Sequence, residues 1–399
     1  MKSSPDQQKY SAEFLHRPLF LWSTPFVFLF FGLPVISKAF GASALEIGGL
    51  FSVVTGATLL LRPAIGWMLD RFGRKIFFVA ALFMYALSMG LFAFAGSLSW
   101  LYAARLIQGI GSAFLWTAAN TIIADVTAPS ERGRALGRIN EITSQGGLVG
   151  IFAAFFIMLS FPKAVSWEYA FIGFTILTFV SALLAWKTVP NTKPGRPIAQ
   201  GKPIFSRQLY KLLVIVFITA VPAAMLSPIY LIYLQDKFTT DTSTLAWAFF
   251  PAGLATSFLS ARLGAFSDRF GRAPMMAVGL AGAGFISLFM PHLPSLVWLA
   301  VLYTLSTILW DLFGPAETAL VADLTGHEQQ GMAYGLYDFV SNLGLTIGPV
   351  LGGLLYDTFG KGVPFYLNGV ILMASAGLVF LLLREIPDKK KEINYAQWQ

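Results

Sequence analysis

Long apolar stretches alternate with short polar segments along the whole chain. Twelve such stretches can be distinguished, at residues 18–40, 44–69, 75–96, 98–124, 134–159, 166–187, 208–234, 243–267, 274–291, 294–324, 330–356 and 362–384. Each reaches or approaches the roughly 20 residues that an α-helix needs to cross a bilayer. The pattern predicts an all-α membrane protein with twelve transmembrane helices.

The composition supports a membrane location. Hydrophobic residues make up 56% of the chain and charged residues 12%, whereas a soluble domain carries about 25% charged residues. The 37 glycines and 21 prolines are a density that membrane helices tolerate. Cysteine is absent and the three histidines (His16, His292 and His327) are scattered, so we expect no cofactor, no metal site and no thiol chemistry.

The net charge of +8 is a topology signal. An even number of spans puts both termini on one side, and 21 of the 28 Lys and Arg residues fall on that side. The opposite side carries Lys38, Lys163, Lys237 and Lys361. Because basic loops stay in the cytoplasm, we expect both termini to be cytoplasmic, and we expect no binding of nucleic acid. The polar amino terminus has no cleavage pattern, so the first span should act as its own insertion signal.

The pentapeptide Asp-Arg-Phe-Gly-Arg occurs at residues 70–74 and again at 268–272, an offset of 198 residues. The same offset aligns further pairs without a gap, from Ser97 with Ser295 to Gly137 with Gly335. This indicates a parallel repeat of two six-helix bundles. We place the bundles at 1–187 and 208–399 and a Pro-, Gly- and Lys-rich cytoplasmic linker at 188–207.

Three motifs resemble those of the major facilitator superfamily. The first is its loop signature, Gly-x-x-x-Asp-Arg/Lys-x-Gly-Arg/Lys-Arg/Lys, which is complete at 66–75 and lacks only the final base in the second copy, at Ala273. The others are Arg-x-x-Gln-Gly-x-Gly at 105–111 and Arg-Gly-Arg-Ala at 132–135. The resemblance covers nearly the whole chain. It implies a monomeric secondary transporter in the cytoplasmic (inner) membrane of a bacterium.

The repeated loops are candidate gates. The residues concerned are Asp70, Arg71, Gly73, Arg74 and Asp125 in the first half and Asp268, Arg269, Gly271, Arg272 and Asp323 in the second. Glycine permits a sharp turn, and a carboxylate at a helix end can accept hydrogen bonds from the amino terminus of another helix. The resemblance implies that Asp70 meets the start of span 11, that Arg74 pairs with Asp125, and that Arg272 pairs with Asp323. The alternative interpretation is that these segments are only tight turns, and that their arginines only set the orientation of the chain in the membrane.

Charged residues within the spans are candidates for the cavity or for proton coupling. Arg105 lies inside span 4 with Gln108 on its face. A charge there must face a partner or a cavity. Arg105 therefore takes part in proton coupling or contacts the substrate, or else it is a structural arginine that bonds to backbone carbonyls. Arg62 precedes Pro63 in span 2, where it could contact an anion or extend to the membrane surface.

Asp311 is the acid nearest the middle of span 10, on a face with Thr304, Thr307 and Thr318. It can bind and release a proton as the cavity alternates, or it can form a hydrogen bond between helices. Glu317, six residues on, is a second acid or a packing partner. Lower-ranked candidates are Glu141, which Arg138 could pair with in span 5, and Asp338 with Asn342 in span 11.

These features favour alternating-access transport of a small solute, by proton-coupled export (antiport) of an amphipathic compound. Span 5 has Gly146, Gly147 and Gly150 without the proline of the family's drug:proton antiporter signature, which weakens that assignment. The alternative is a proton-coupled symporter for a nutrient or an organic anion. A channel or a membrane-embedded enzyme fits less well, because no nucleophile or metal set is clustered and we expect no enzyme activity.

Overall fold

The structure is a computed structural model that describes residues 12–127, 131–192, 205–325 and 329–383; within these ranges a few side chains, including those of Asp70 and Asp268, are outside the description. The described residues form helices and short turns. The α-helices are α1 (His16–Ser23), α2 (Phe26–Ala39), α3 (Ala44–Phe72), α4 (Lys75–Ala93), α5 (Leu98–Val126), α6 (Arg132–Ser160), α7 (Lys163–Thr188), α8 (Arg207–Lys237), α9 (Thr242–Phe270), α10 (Arg272–Phe289), α11 (Leu296–Asp323), α12 (Gln330–Phe359) and α13 (Val363–Leu383).

The predicted all-α, twelve-span architecture is confirmed. A 3₁₀ turn at Ala12–Leu15, α1 and α2 together make up the first span, and each later helix corresponds to one predicted span. Eleven spans within the described residues are long and apolar enough to cross a membrane. The twelfth, α9, has 29 residues.

The first span is not one continuous helix, as the apolar run 18–40 suggested. It breaks between α1 and α2, at Thr24 and Pro25. Proline has no N–H to donate, so it leaves carbonyl groups of the preceding turn without their helical partners. The hydroxyls of Ser23 and Thr24 donate to the carbonyl oxygens of Phe20 and Leu21, each at 2.9 Å. The break is therefore compensated locally by side chains.

The chain separates into two compact units, residues 1–42 with 53–200 and residues 43–52 with 201–399. Within the first unit, α4 packs against α5 and α7, and α1 packs against α6 and α7. Within the second, α8 packs against α12, α10 against α13, and α9 against α11. The bundles at 1–187 and 208–399 stay a prediction, as does the 188–207 linker, most of which lies outside the described residues.

Each unit contains a glycine seam between two helices. A Cβ on Gly146 of α6 would overlap the backbone oxygen of Phe20 in α1, and one on Gly150 would overlap that of Thr24, at the break between α1 and α2. A Cβ on Gly344 of α12 would lie 2.5 Å from the Cβ of Ala220, and one on Gly348 would overlap the oxygen of Val221, both in α8. Small residues let membrane helices approach to backbone contact. The two seams are related by the 198-residue offset of the sequence repeat.

Candidate functional site

The repeated loops turn on glycine in both copies. Gly73 has φ +87° and Gly271 has φ +94°, values that residues with a side chain rarely adopt. Each glycine ends a long helix, α3 or α9, one or two residues before the next helix begins. The sharp turn expected at these positions is therefore present.

Both expected Arg–Asp pairs are present, but their environments differ. Arg74 Nε lies 3.1 Å from Asp125 Oδ2, and the arginine side chain is 3% exposed. Arg272 Nε lies 3.3 Å from Asp323 Oδ2, with the arginine 28% exposed. Each arginine also reaches back to the end of the preceding helix, Arg74 to the Leu69 carbonyl at 3.1 Å and Arg272 to the Ser267 hydroxyl at 3.4 Å. The first pair is thus buried and the second is partly solvated.

The other two arginines of these loops, Arg71 and Arg269, lie near aromatic rings. The guanidinium carbon of Arg71 lies 5.5 Å from the centre of the Trp67 ring, and that of Arg269 lies 5.4 Å from the Phe270 ring. The Asp70 and Asp268 side chains lie outside the described residues. The predicted contact of Asp70 with the start of span 11 therefore stays a prediction, as does gating by any of these residues.

Because the Arg74–Asp125 pair is more buried than the Arg272–Asp323 pair, removing its arginine should destabilise the protein more. Arg74→Ala should lower the thermal stability of the purified protein clearly, because removing one partner of a buried pair costs about 3–5 kcal/mol, and somewhat less here since Asp125 is partly exposed. Arg272→Ala is the matched control, for which an exposed pair predicts about 0–1 kcal/mol. Intrinsic tryptophan fluorescence on heating measures both. Equal losses would contradict the burial argument.

Arg105 and Gln108 lie together inside the first unit. Both are buried, and Arg105 Nη1 donates to Gln108 Oε1 at 2.8 Å. Tyr85 interacts electrostatically with Arg105. Tyr85 is also part of a cluster of rings with centroids 4.3–5.8 Å apart, formed with Trp22, Phe26 and Trp116. Arg62 is half-buried, in α3.

In the second unit, Asp311 is half-buried near the middle of α11. The threonines of its face bond within their own helix. Thr304, Thr307 and Thr318 donate to the carbonyl oxygens of the residues four positions earlier, at 2.7, 2.8 and 2.8 Å respectively. The polar stripe predicted from the sequence is therefore a set of self-bonded hydroxyls around one carboxylate.

Glu317 is the most deeply buried acid of the described side chains. It is 7% exposed and lies beside the apolar core that includes Phe313, Ala316 and Leu320. Tyr337 of α12 donates to its Oε2 at 2.9 Å. Its Oε1 is also buried and forms no hydrogen bond with any of the described residues. The carboxylate is thus held on one side only.

The lower-ranked candidates are partnered nearby. Arg138 Nη1 lies 2.7 Å from Glu141 Oε2 in an exposed pair, and Gln145 donates to Glu141 Oε1 at 3.1 Å. Asn342 donates to the carboxylate and to the carbonyl of Asp338, at 3.1 and 2.7 Å. The structure therefore brings each of these acids to a neighbour on its own helix.

Two features escaped the sequence reasoning. One is a second ring cluster, in which Tyr303 lies 5.0 Å from Tyr230 and 4.9 Å from Phe249 between ring centroids. The other, within the second unit, is Asp357 at the end of α12, whose carboxylate accepts from the backbone N–H groups of Ala44 and Leu45 at 3.2 and 2.8 Å. A carboxylate at a helix amino terminus is stabilising. No motif marks Asp357, because its partners are over 300 residues away.

Comparison with known proteins agrees with this architecture. The sequence profile of the Major Facilitator Superfamily matches residues 19–220 and 212–397. Multidrug resistance protein 1 of Bacillus subtilis is 25% identical over 86% of this chain and 89% of its own length. The chromaffin granule amine transporter of Homo sapiens is 28% identical over 87% of this chain and 67% of its own length.

Solved structures show the same fold. The crystal structure of a bacterial homologue of the human lysosomal transporter Spinster, inward-facing and occupied, aligns with a TM-score of 0.70 and 19% identity over 94% of this chain and 96% of its own. The family match extends over most of the described helices, and the protein therefore belongs to the major facilitator superfamily and is a membrane-embedded transporter.

Proposed function

We propose that this protein exports amphipathic compounds in exchange for protons, by alternating access. The observation that carries the proposal is Glu317, a carboxylate buried in a membrane helix, with one oxygen accepting from Tyr337 and the other without a hydrogen bond to any described residue. An ionised group in that setting costs several kcal/mol. A proton removes the charge, so the carboxylate can alternate between a neutral and an ionised form as access to water alternates.

The substrate class rests on the rings and on the relatives. One relative is named a multidrug resistance protein and another an amine transporter. Each unit here contains a cluster of aromatic rings, around Tyr85 in the first and Tyr303 in the second. Such rings bind the apolar part of a substrate and attract a cation to their faces. Amphipathic organic cations are therefore the first class to test.

The distribution of charges supports the proposed orientation in the membrane. The basic residues gather on the side of the Arg74 and Arg272 loops, which supports cytoplasmic termini in the inner membrane of a bacterium.

Alternating access also needs contacts that can break. Within the second unit, the Asp357 contacts with Ala44 and Leu45 are polar and partly exposed. We infer that the first turns of α3 can part from α12 during transport, and that the transporter works as a monomer.

The direct test is reconstitution into liposomes with an acidic interior and a fluorescent pH indicator inside. Adding tetraphenylphosphonium, an amphipathic cation, should raise the internal pH at a rate that saturates with concentration. Empty liposomes and a non-amphipathic cation such as choline are the controls. A transport rate that does not depend on the pH gradient would contradict the exchange mechanism. An ohmic current would indicate a channel.

Asp311→Asn should slow this exchange strongly while leaving expression and thermal stability unchanged. Its carboxylate lies half-buried at mid-helix, where it can meet either a proton or a cationic substrate, and asparagine keeps the shape but cannot hold a charge. The same liposome assay measures the effect. An unchanged rate at every substrate concentration would remove Asp311 from the mechanism.

The second candidate function is proton-coupled symport of an organic anion, which buried Arg105 favours. A guanidinium bonded on one nitrogen to Gln108 can bind a carboxylate when a substrate enters. In the liposome assay, an aromatic carboxylate would then acidify the compartment it enters, and the cation would be inert. That result would contradict the export of cations and support the symport of anions as the function.

A further inference from the structure

A cavity of about 420 Å³ opens at one end of the first unit, between α1, α6 and α7. Its polar lining residues are His16, Arg17, Arg138 and Gln145. The rest is mainly apolar, with Phe20, Leu21, Ile142 and Leu184. This cavity contains none of the aromatic cluster around Tyr85 and neither Arg105 nor Gln108. It is therefore separate from Arg105, Gln108 and that ring cluster, while the lower-ranked candidate Glu141 bonds to Arg138 and Gln145 of its lining.

The lining changes from basic to apolar with depth along both helices. On α1, which begins at His16, Arg17 lies in the first turn and Leu21 one turn further in. On α6, which begins at Arg132, Arg138 precedes Ile142 by one turn. A helix rises about 5.4 Å per turn. The cavity thus presents cations at its mouth and a mainly apolar lining below them, with Gln145 as a neutral polar side chain further along α6.

The mouth lies at the end of the helical bundle. His16 begins α1, and Leu184 is four residues before the end of α7. Because these helices cross the membrane, their ends lie at the boundary between water and lipid. The polar-to-apolar direction of the cavity is therefore the direction from headgroup to acyl chain in a bilayer.

The cations at the mouth are available to a ligand. Arg17 is exposed and forms no hydrogen bond or ion pair with any of the described residues. Arg138 pairs with Glu141, but both side chains are more than half exposed, so that pair is worth about 0–1 kcal/mol. Glu13 and Arg138 are the charged groups that act on His16. An anion can thus displace Glu141 at little cost.

We propose that this cavity binds an anionic phospholipid, with the phosphate between Arg17 and Arg138 and one acyl chain along Leu21 and Ile142. Basic pockets between transmembrane helices on the cytoplasmic side bind anionic headgroups. The lipid would hold α1 against α6 at the mouth of the cavity, beside the glycine seam. The inference requires the membrane placement of these helices and does not depend on proton exchange.

Native mass spectrometry of the detergent-solubilised protein tests the proposal. The wild type is mixed with phosphatidylglycerol, phosphatidylcholine, glycerol phosphate or inorganic phosphate. The test variant is Arg17→Gln with Arg138→Gln. The matched control is Arg134→Gln with Arg207→Gln, which removes two exposed arginines that do not line the cavity.

The wild type should retain phosphatidylglycerol at collision energies that strip phosphatidylcholine, and should gain thermal stability from it. The test variant should lose both effects, whereas the control keeps them. Equal retention by wild type and test variant would overturn the site, as would an equal loss in the control. Retention of inorganic phosphate or glycerol phosphate in place of the lipid would overturn the assignment to a phospholipid.

Discussion

Replacing Glu317 with glutamine is expected to abolish proton-driven export while the protein still folds. Glutamine has nearly the same shape as glutamate and can keep the hydrogen bond from Tyr337, which is 2.9 Å long in the wild type. It cannot take up a proton. Proton-driven efflux should fall to the rate of empty liposomes. Exchange of labelled for unlabelled substrate, without a pH gradient, should continue, because it needs only binding and the conformational change.

The two assays together separate a coupling residue from a structural one. A misfolded variant would lose both activities, and a residue without a role in coupling would lose neither. Glu168→Gln is the matched control, since it makes the same change at a half-buried position in α7 and should alter neither rate. Proton-driven efflux that survives in the Glu317 variant would show that the proton binds elsewhere, with Asp311 as the next candidate.

Replacing Gly150 with valine is expected to prevent formation of the folded first unit. A Cβ at this position would overlap the carbonyl oxygen of Thr24, the residue that follows α1, and a backbone atom cannot move aside as a flexible side chain can. We expect a cost at or above the upper end of the about 1–3 kcal/mol that is usual for overpacking. Size-exclusion chromatography of the solubilised protein should show aggregate in place of a monodisperse peak.

Gly137→Ala provides the control on the same helix. A Cβ on Gly137 meets no atom within 4 Å, and alanine favours a helix over glycine by about 1 kcal/mol. This variant should be as stable as the wild type or slightly more so. Gly348→Val should repeat the Gly150 defect in the second unit, against Val221 of α8. A monodisperse Gly150 variant would mean that α1 can shift away from α6.

The helices could be predicted from the sequence because their signal is local. Apolar runs of the required length gave all twelve spans, and the repeat of Asp-Arg-Phe-Gly-Arg indicated where Gly73 and Gly271 turn the chain. The break at Pro25 was missed, although a proline within an apolar run suggests one. Membrane helices often absorb a proline without a break, as α8 does at Pro222 and Pro228.

Burial could not be predicted, because it depends on contacts between distant segments. Identical pentapeptides gave Arg74 and Arg272 equal expectations, yet one is 3% and the other 28% exposed. From the sequence, Glu317 was either a second acid or a packing partner, and its hydrogen bond from Tyr337, in another helix, shows only in the structure. The glycine seams had a sequence signal, since Gly146 and Gly150 recur as Gly344 and Gly348 at the offset of 198, but only the structure shows what they contact.

The threonines of α11 have a consequence for selectivity. The hydroxyl groups of Thr304, Thr307 and Thr318 each donate their one proton to a backbone carbonyl of their own helix. A hydroxyl that has donated its proton can still accept, so this face of α11 offers lone pairs and the Asp311 carboxylate but no hydroxyl donor. Molecules that bring their own protons, such as ammonium groups, find complementary atoms there. If the transported substrate passes this face of α11, as the proposed function requires, cationic substrates should be favoured over carboxylates and sulfonates.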